Sequence, residues 1–176
     1  DLSGDVGSVA PVRGGNSPLE VTGINKSAIE RIGGRRDSEI SWMTFFNDAS
    51  AQEHPVLSVL PRTDVVVSYL HTAILGAAAA AHVAKQINYD GTRAADGMFT
   101  FAVQSLGNAF GLNWGKQLTA GLQNNTGAGN GTGVDMGEAL SEPPSFGLVA
   151  YLQVAGFTGT DVTFTLQESS DNGGGD

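Results

Sequence analysis

The sequence predicts a mainly β protein: an antiparallel β-sandwich or barrel-like pair of sheets flanked by one short α-helix, with part of a second all-β domain behind it. Three observations carry this. Short segments alternate apolar and polar residues, the signature of strands. Residues 38–70 read as strand, short helix and strand. The 25 glycines, with only 7% aromatic residues, mark a chain rich in turns.

Residues 38–46 place Ile40, Trp42, Thr44 and Phe46 on one face, and Ser41, Met43 and Phe45 on the other. Large apolar groups on both faces predict a strand covered on both sides. Asn47, Asp48 and Ser50 then offer capping side chains to a helix over about 51–60. Val56, Leu57 and Leu60 give it helical spacing, Pro55 fits its first turn and Pro61 stops it. Residues 65–70 are β-branched and aromatic again.

Upstream, residues 1–16 read as a loop or the tail of a strand, and a short strand begins at Leu19. Residues 22–37 hint at a helical turn through Ile24, Ala28, Ile29 and Ile32, closed by Gly33 and Gly34. Their basic residues fit either a solvated loop or an exposed arm docking on acidic patches of a neighbouring subunit. Residues 76–81 read as a tight small-residue passage. Residues 82–89 and 98–105 alternate and form an antiparallel hairpin, because Asp-Gly at both ends of the 90–97 loop suits hairpin turns. That loop is long enough to project. Phe110, Leu112 and Trp114 alternate in an edge strand broken by glycines.

The expected domains are residues 1–121, a flexible linker at 122–145 and the start of a C-terminal β domain at 146–176. The last part carries two strands, 146–154 and 160–167, too few to stand alone in water. They join the first sheet or, as we favour, begin a second domain. Asp1 in place of Met, and the closing Gly-Gly-Gly-Asp, lead us to expect that both ends are cut from a longer polypeptide. The expected core comprises Ile40, Trp42, Phe46, Leu57 and Leu60, with Val66, Phe99, Phe101 and Trp114.

A content of 40% hydrophobic residues allows a sizeable core. Eighteen acidic against nine basic residues give a formal charge of −9, which argues against a surface that grips nucleic acid. Such a charge is compatible with a protein that encloses DNA without holding it. There is no cysteine, so no disulfide or thiolate metal site is available. No apolar run reaches membrane-spanning length.

Chemistry is sparse. His54, His71 and His82 stand at no metal-ligand spacing, and no serine occupies a nucleophile elbow. Asp90 with Asp96, and Asp135 with Glu138, lie among turn residues rather than in a calcium-loop pattern. Residues 127–133 lack the Lys-Ser/Thr of a phosphate loop. Three glycosylation sequons, at Asn25, Asn124 and Asn130, stand without secretory context. No catalytic residue, metal or cofactor is expected, and no enzyme.

The stretches VTGINKSAIERIGGRRDSEISWMTFFND, HPVLSVLP, VAKQINYDGTRAADGMFTFAVQSLGN and GLNWGKQLTAG occur in this order. Across residues 19–121 they resemble the major tail tube proteins of long-tailed bacteriophages. YLQVAGFTGTDVTFTLQESSDNG resembles the start of the extra C-terminal β domain that some of these proteins carry. The resemblance implies the tail-tube fold and hexameric rings that stack into a hollow, acidic-lumen tube carrying DNA into the host. It implies as partners other copies of the chain and the tape measure, terminator and distal tail proteins. DNA would pass without specific binding and no membrane would be involved. The place would be the virion tail, assembled in the host bacterial cytoplasm. Candidate subunit contacts are Ile24, Lys26, Arg31, Arg35 and Arg36 on the arm, and Asp90, Arg93 and Asp96 on the hairpin loop. The alternative is a β-sandwich decoration or fibre protein that binds carbohydrate or a host surface. It would need clustered exposed aromatics, whereas Trp42 and Trp114 lie in apolar strand patterns.

Overall fold

β-Branched and aromatic residues, alternating in several segments, build strands as the main regular structure. A computed structural model describes residues 1–136 and 148–167. A 3-10 turn at Ser3–Asp5 precedes β1 (Val6–Glu20) and β2 (Arg31–Phe45). Then come α1 (Glu53–Leu57), β3 (Val65–Leu70), β4 (Ala78–Arg93), β5 (Phe99–Gly107) and β6 (Asn113–Lys116). The strand order is β1-β2-β5-β4-β3, with β6 paired to β4. The β1–β2, β2–β5 and β4–β5 pairs are antiparallel. A mainly antiparallel β fold with one short helix is therefore observed, its described strands sharing one curled sheet.

Of the two readings of residues 1–16, loop or strand, β1 realises the strand, which runs on through Leu19 to Glu20. Pro11, Pro18, Gly14 and Gly15 weaken the strand signal, yet β1 ends the sheet order, where proline is tolerated. Register shifts between Val9 and Val12, and between Asn16 and Pro18, absorb both prolines. The helical hint in residues 22–37 is not realised. Arg31 already pairs with Glu20, so only the turn between β1 and β2 remains. The alanine run opens β4, where Ala80 packs against Ile40 and Leu112. α1 falls inside the expected helix, and β3 matches the expected 65–70.

Packing divides the chain into two units: Asp1–Tyr69 with Ala80–Trp114, and Leu70–Ala79 with Gly115–Asp176. In the first, Ile40, Ala80 and Leu112 form a buried cluster flanked by Val12, Trp42, Val67 and Tyr69. A second group of rings lies by α1. Tyr89 stacks on Phe101 with centroids 4.1 Å apart, and Phe46, His54 and Phe99 surround them. In the second unit, buried Gln117 is the organising residue. Its backbone pairs with Gly76 and Ala77, and its amide donates to the Thr72 carbonyl.

Several expected core residues lie at the surface of this chain. Phe46 stands just past the end of β2, with one side of its ring open. Leu60 follows the end of α1 at φ 46°, off the helix's buried stripe. Val66 points outward in the alternation of β3. Trp114 belongs to a strand of four residues and is 61% exposed. Ile40, Leu57 and Phe101 are buried, while Trp42 and Phe99 are half-buried. The strand patterns expected over 146–154 and 160–167 form no strand across the described residues 148–167. Val162, Phe164 and Leu166 stay about half exposed, since alternation alone buries nothing without a neighbouring strand. Phe146 lies outside the described residues.

Candidate assembly surface

The β1–β2 pair is longer than the sheet it belongs to. β2 pairs with β5 only over Glu39–Phe45, whereas its pairing with β1 continues to Arg31. Beyond Glu39 these two strands therefore form a ribbon with no third strand. Its end is held by the Val21 N–H to Glu30 carbonyl bond (2.9 Å), the Glu30 N–H to Thr22 hydroxyl bond (3.0 Å) and a Lys26–Glu30 ion pair at 2.9 Å. Leu19, Val21, Ile24, Ile29 and Ile32 are all exposed along it. An isolated two-stranded ribbon is marginal in water, and exposed aliphatic side chains in a row mark a surface meant to be covered.

The root of the ribbon is fixed by polar networks. Glu39 accepts from the Gln104 amide (2.7 Å), the Ser41 hydroxyl (2.7 Å) and the Arg13 guanidinium (2.8 Å). These bonds, with Gln104 foremost, hold its carboxyl below the ordinary range. His82 is fully buried between two serines, its Nδ1 2.9 Å from Ser38 Oγ and its Nε2 3.1 Å from Ser105 Oγ. Ser105 donates to the Ile40 carbonyl at 2.7 Å, so it accepts from Nε2–H, and Ser38 donates to Nδ1. The ring is thus neutral, and burial lowers its pKa accordingly. With Ser38 and Ser105 also buried, the trio reads as a lock between β2, β4 and β5, not an open nucleophile.

A groove of about 400 Å³ adjoins that lock, lined by Arg35, Arg36, Asp37, Ser38, Gly107, Ala109 and Phe110. Arg35 and Arg36 are exposed and make no ion pair among the described residues; Asp37 accepts the Ser38 N–H at 2.8 Å. Phe110 is 65% exposed.

The sequence-predicted contact residues fall in two places. Ile24 and Lys26 sit in the turn of the ribbon, and Arg31, Arg35 and Arg36 lie on β2. Asp90 and Arg93 are the last part of β4, and Asp96 lies in the following turn. β4 runs on to Arg93, which pairs with Phe99, so the loop expected over 90–97 shrinks to 94–98. Ala94 N–H donates to the Met98 carbonyl at 2.8 Å, Met98 N–H donates to Asp96 at 3.0 Å, and Gly97 takes φ +92°. Residues 90–98 are exposed throughout. Sequence reading missed Leu19 and Phe110, and the signal that could have found them is an apolar side chain beside glycine or proline where no core could form.

Among the described residues no group of three His, Asp, Glu or Cys converges to hold a metal, and no helix is long and apolar enough to cross a membrane.

No family model and no curated protein matches the chain. A search of solved structures finds similarity to a chain of "Tail of empty GTA particle computed with helical refinement, C6 symmetry", at 15% identity and a TM-score of 0.49, over 65% of this chain and 90% of that one.

Proposed function

We propose that this chain is a structural protein of a phage-type virion tail, which self-assembles into stacked, hexameric rings around an acidic bore through which DNA passes. The observation that carries the reading is the β1–β2 ribbon, which leaves the sheet with its aliphatic side chains uncovered. β1 and β3 also end the main strand order, and unpaired strand edges are hazards unless a neighbour completes them. Copies of the same chain can do both. Sideways pairing closes a ring, and a head-to-tail contact propagates it into a filament. The formal charge of −9 would repel phosphates from the inner wall instead of retaining them. The ordered resemblance of residues 19–121 to tail tube proteins supports the same reading, and the other tail proteins are then partners at the tube's ends. Negative-stain microscopy of the purified chain should show rings or tubes with a central hole. Featureless single particles at every concentration would refute it.

One observation favours a second reading, a surface module that binds carbohydrate. Phe110 and Trp114 are exposed aromatics four residues apart. Glycan binding that Trp114→Ala abolishes, in a chain that never assembles, would select it.

A further inference from the structure

We propose that the Arg35–Arg36 groove is the socket for the β4–β5 hairpin tip of a second copy of this chain; the inference rests on the self-assembly reading and names the contact. The groove presents two cations and one anion: Arg35, Arg36 and Asp37. The β4–β5 hairpin presents carboxylates, Asp96 in its turn and Asp90 behind it on β4. Seating the hairpin brings these carboxylates to the two guanidinium groups. Guanidinium–carboxylate pairs form directional, often bidentate bonds that fix register as well as attraction. The apolar parts match too. Met98 is half exposed behind the turn, and the open ring of Phe110 lies at the groove, where a thioether packs favourably on an aromatic edge.

The rest of the chain makes a copy of itself the fitting partner. Between Arg13 and Asp37 there are five basic and three acidic residues, whereas the remainder holds four basic and fifteen acidic ones. The ribbon and its root therefore hold more than half of the basic residues and are net basic, whereas the remainder of the chain is net acidic. Because socket and tip lie on different elements, a copy that fills one socket still offers its own, so the contact can run head-to-tail and repeat.

The test uses two full-length variants. One reverses the socket, Arg35→Glu with Arg36→Glu; the other reverses the tip, Asp90→Arg with Asp96→Arg. Each alone should raise the concentration at half-assembly at least tenfold in sedimentation velocity, with unchanged circular dichroism. Mixed one to one they should co-assemble, since each reversed surface meets its complement on the other chain and the unreversed pair also fits. Asp96→Asn keeps an acceptor for the Met98 N–H and should weaken assembly less than the reversal. Variants that assemble like the wild type, or a mixture that stays apart, would overturn the socket while leaving self-assembly intact. A wild-type chain that never assembles would overturn both.

Discussion

Among the described residues, Glu53 has the most displaced ionisation. It opens α1 fully buried, and neither carboxyl oxygen has a hydrogen-bond partner among those residues. The Thr44 hydroxyl beside it already donates to the Asp5 carbonyl at 3.0 Å. Burial foremost, with the nearby charge of Asp5, pushes its pKa up to about 7 from 4.5, against a smaller lowering by Thr44. The folded chain then holds a proton that the unfolded chain has released, so this group's contribution is complete below pH 4.5 and is lost as pH rises through about 7. His82 acts oppositely, since its lowered pKa withdraws stability as pH falls below 6.5. Subtracting wild type from Glu53→Gln isolates the first term. The variant should gain about 3 kcal/mol relative to wild type between pH 4.5 and pH 8 in urea melts, and a flat difference would contradict the assignment. Gly107 offers a second test. A Cβ there would overlap the Ser38 hydroxyl, so Gly107→Ala should cost about 1–3 kcal/mol. In a Ser38→Ala background the cost should shrink, a coupling that a double-mutant cycle measures directly.

At the scale of elements, the ribbon makes a prediction about where stability does not reside. Leu19 and Ile32 face each other across it and are exposed, so replacing both by threonine, a β-branched strand former, removes apolar surface without weakening the strands. The melting transition of the unassembled chain should change by less than about 0.5 kcal/mol, while the concentration needed for assembly rises. Equal losses in both would place these residues in a core. This explains what was readable beforehand. Residues 40–45 of β2 announced themselves by alternation, and β3 by its β-branched and aromatic side chains. The ribbon did not, because Pro11, Gly14, Gly15, Pro18, Gly33 and Gly34 interrupt a pattern that no core enforces. Its charge did stand out, which is why Arg35 and Arg36 were legible as candidates for a contact while the exposed Leu19 and Phe110 were not. Trp114 was misplaced for the converse reason: alternation gives the face of a strand, but not whether anything lies against it.

At the scale of the whole molecule, a single chain leaves much of its large apolar side-chain surface uncovered. Its core rests on small residues such as Ala80 and Ala84, while large apolar side chains from Leu19 to Trp114 stay at the surface. In the proposed tube, the acidity faces the bore. Duplex DNA should show no retardation with either monomer or tube at about 0.15 M salt, where a basic wall would bind through counterion release. The most direct test is a cryo-electron-microscopy reconstruction of the assembled protein. The account predicts a hollow tube in which a neighbouring copy covers the β1–β2 ribbon and carboxylates line the bore. An isolated globule with every strand edge shielded, or a bore lined with lysine and arginine, would contradict it.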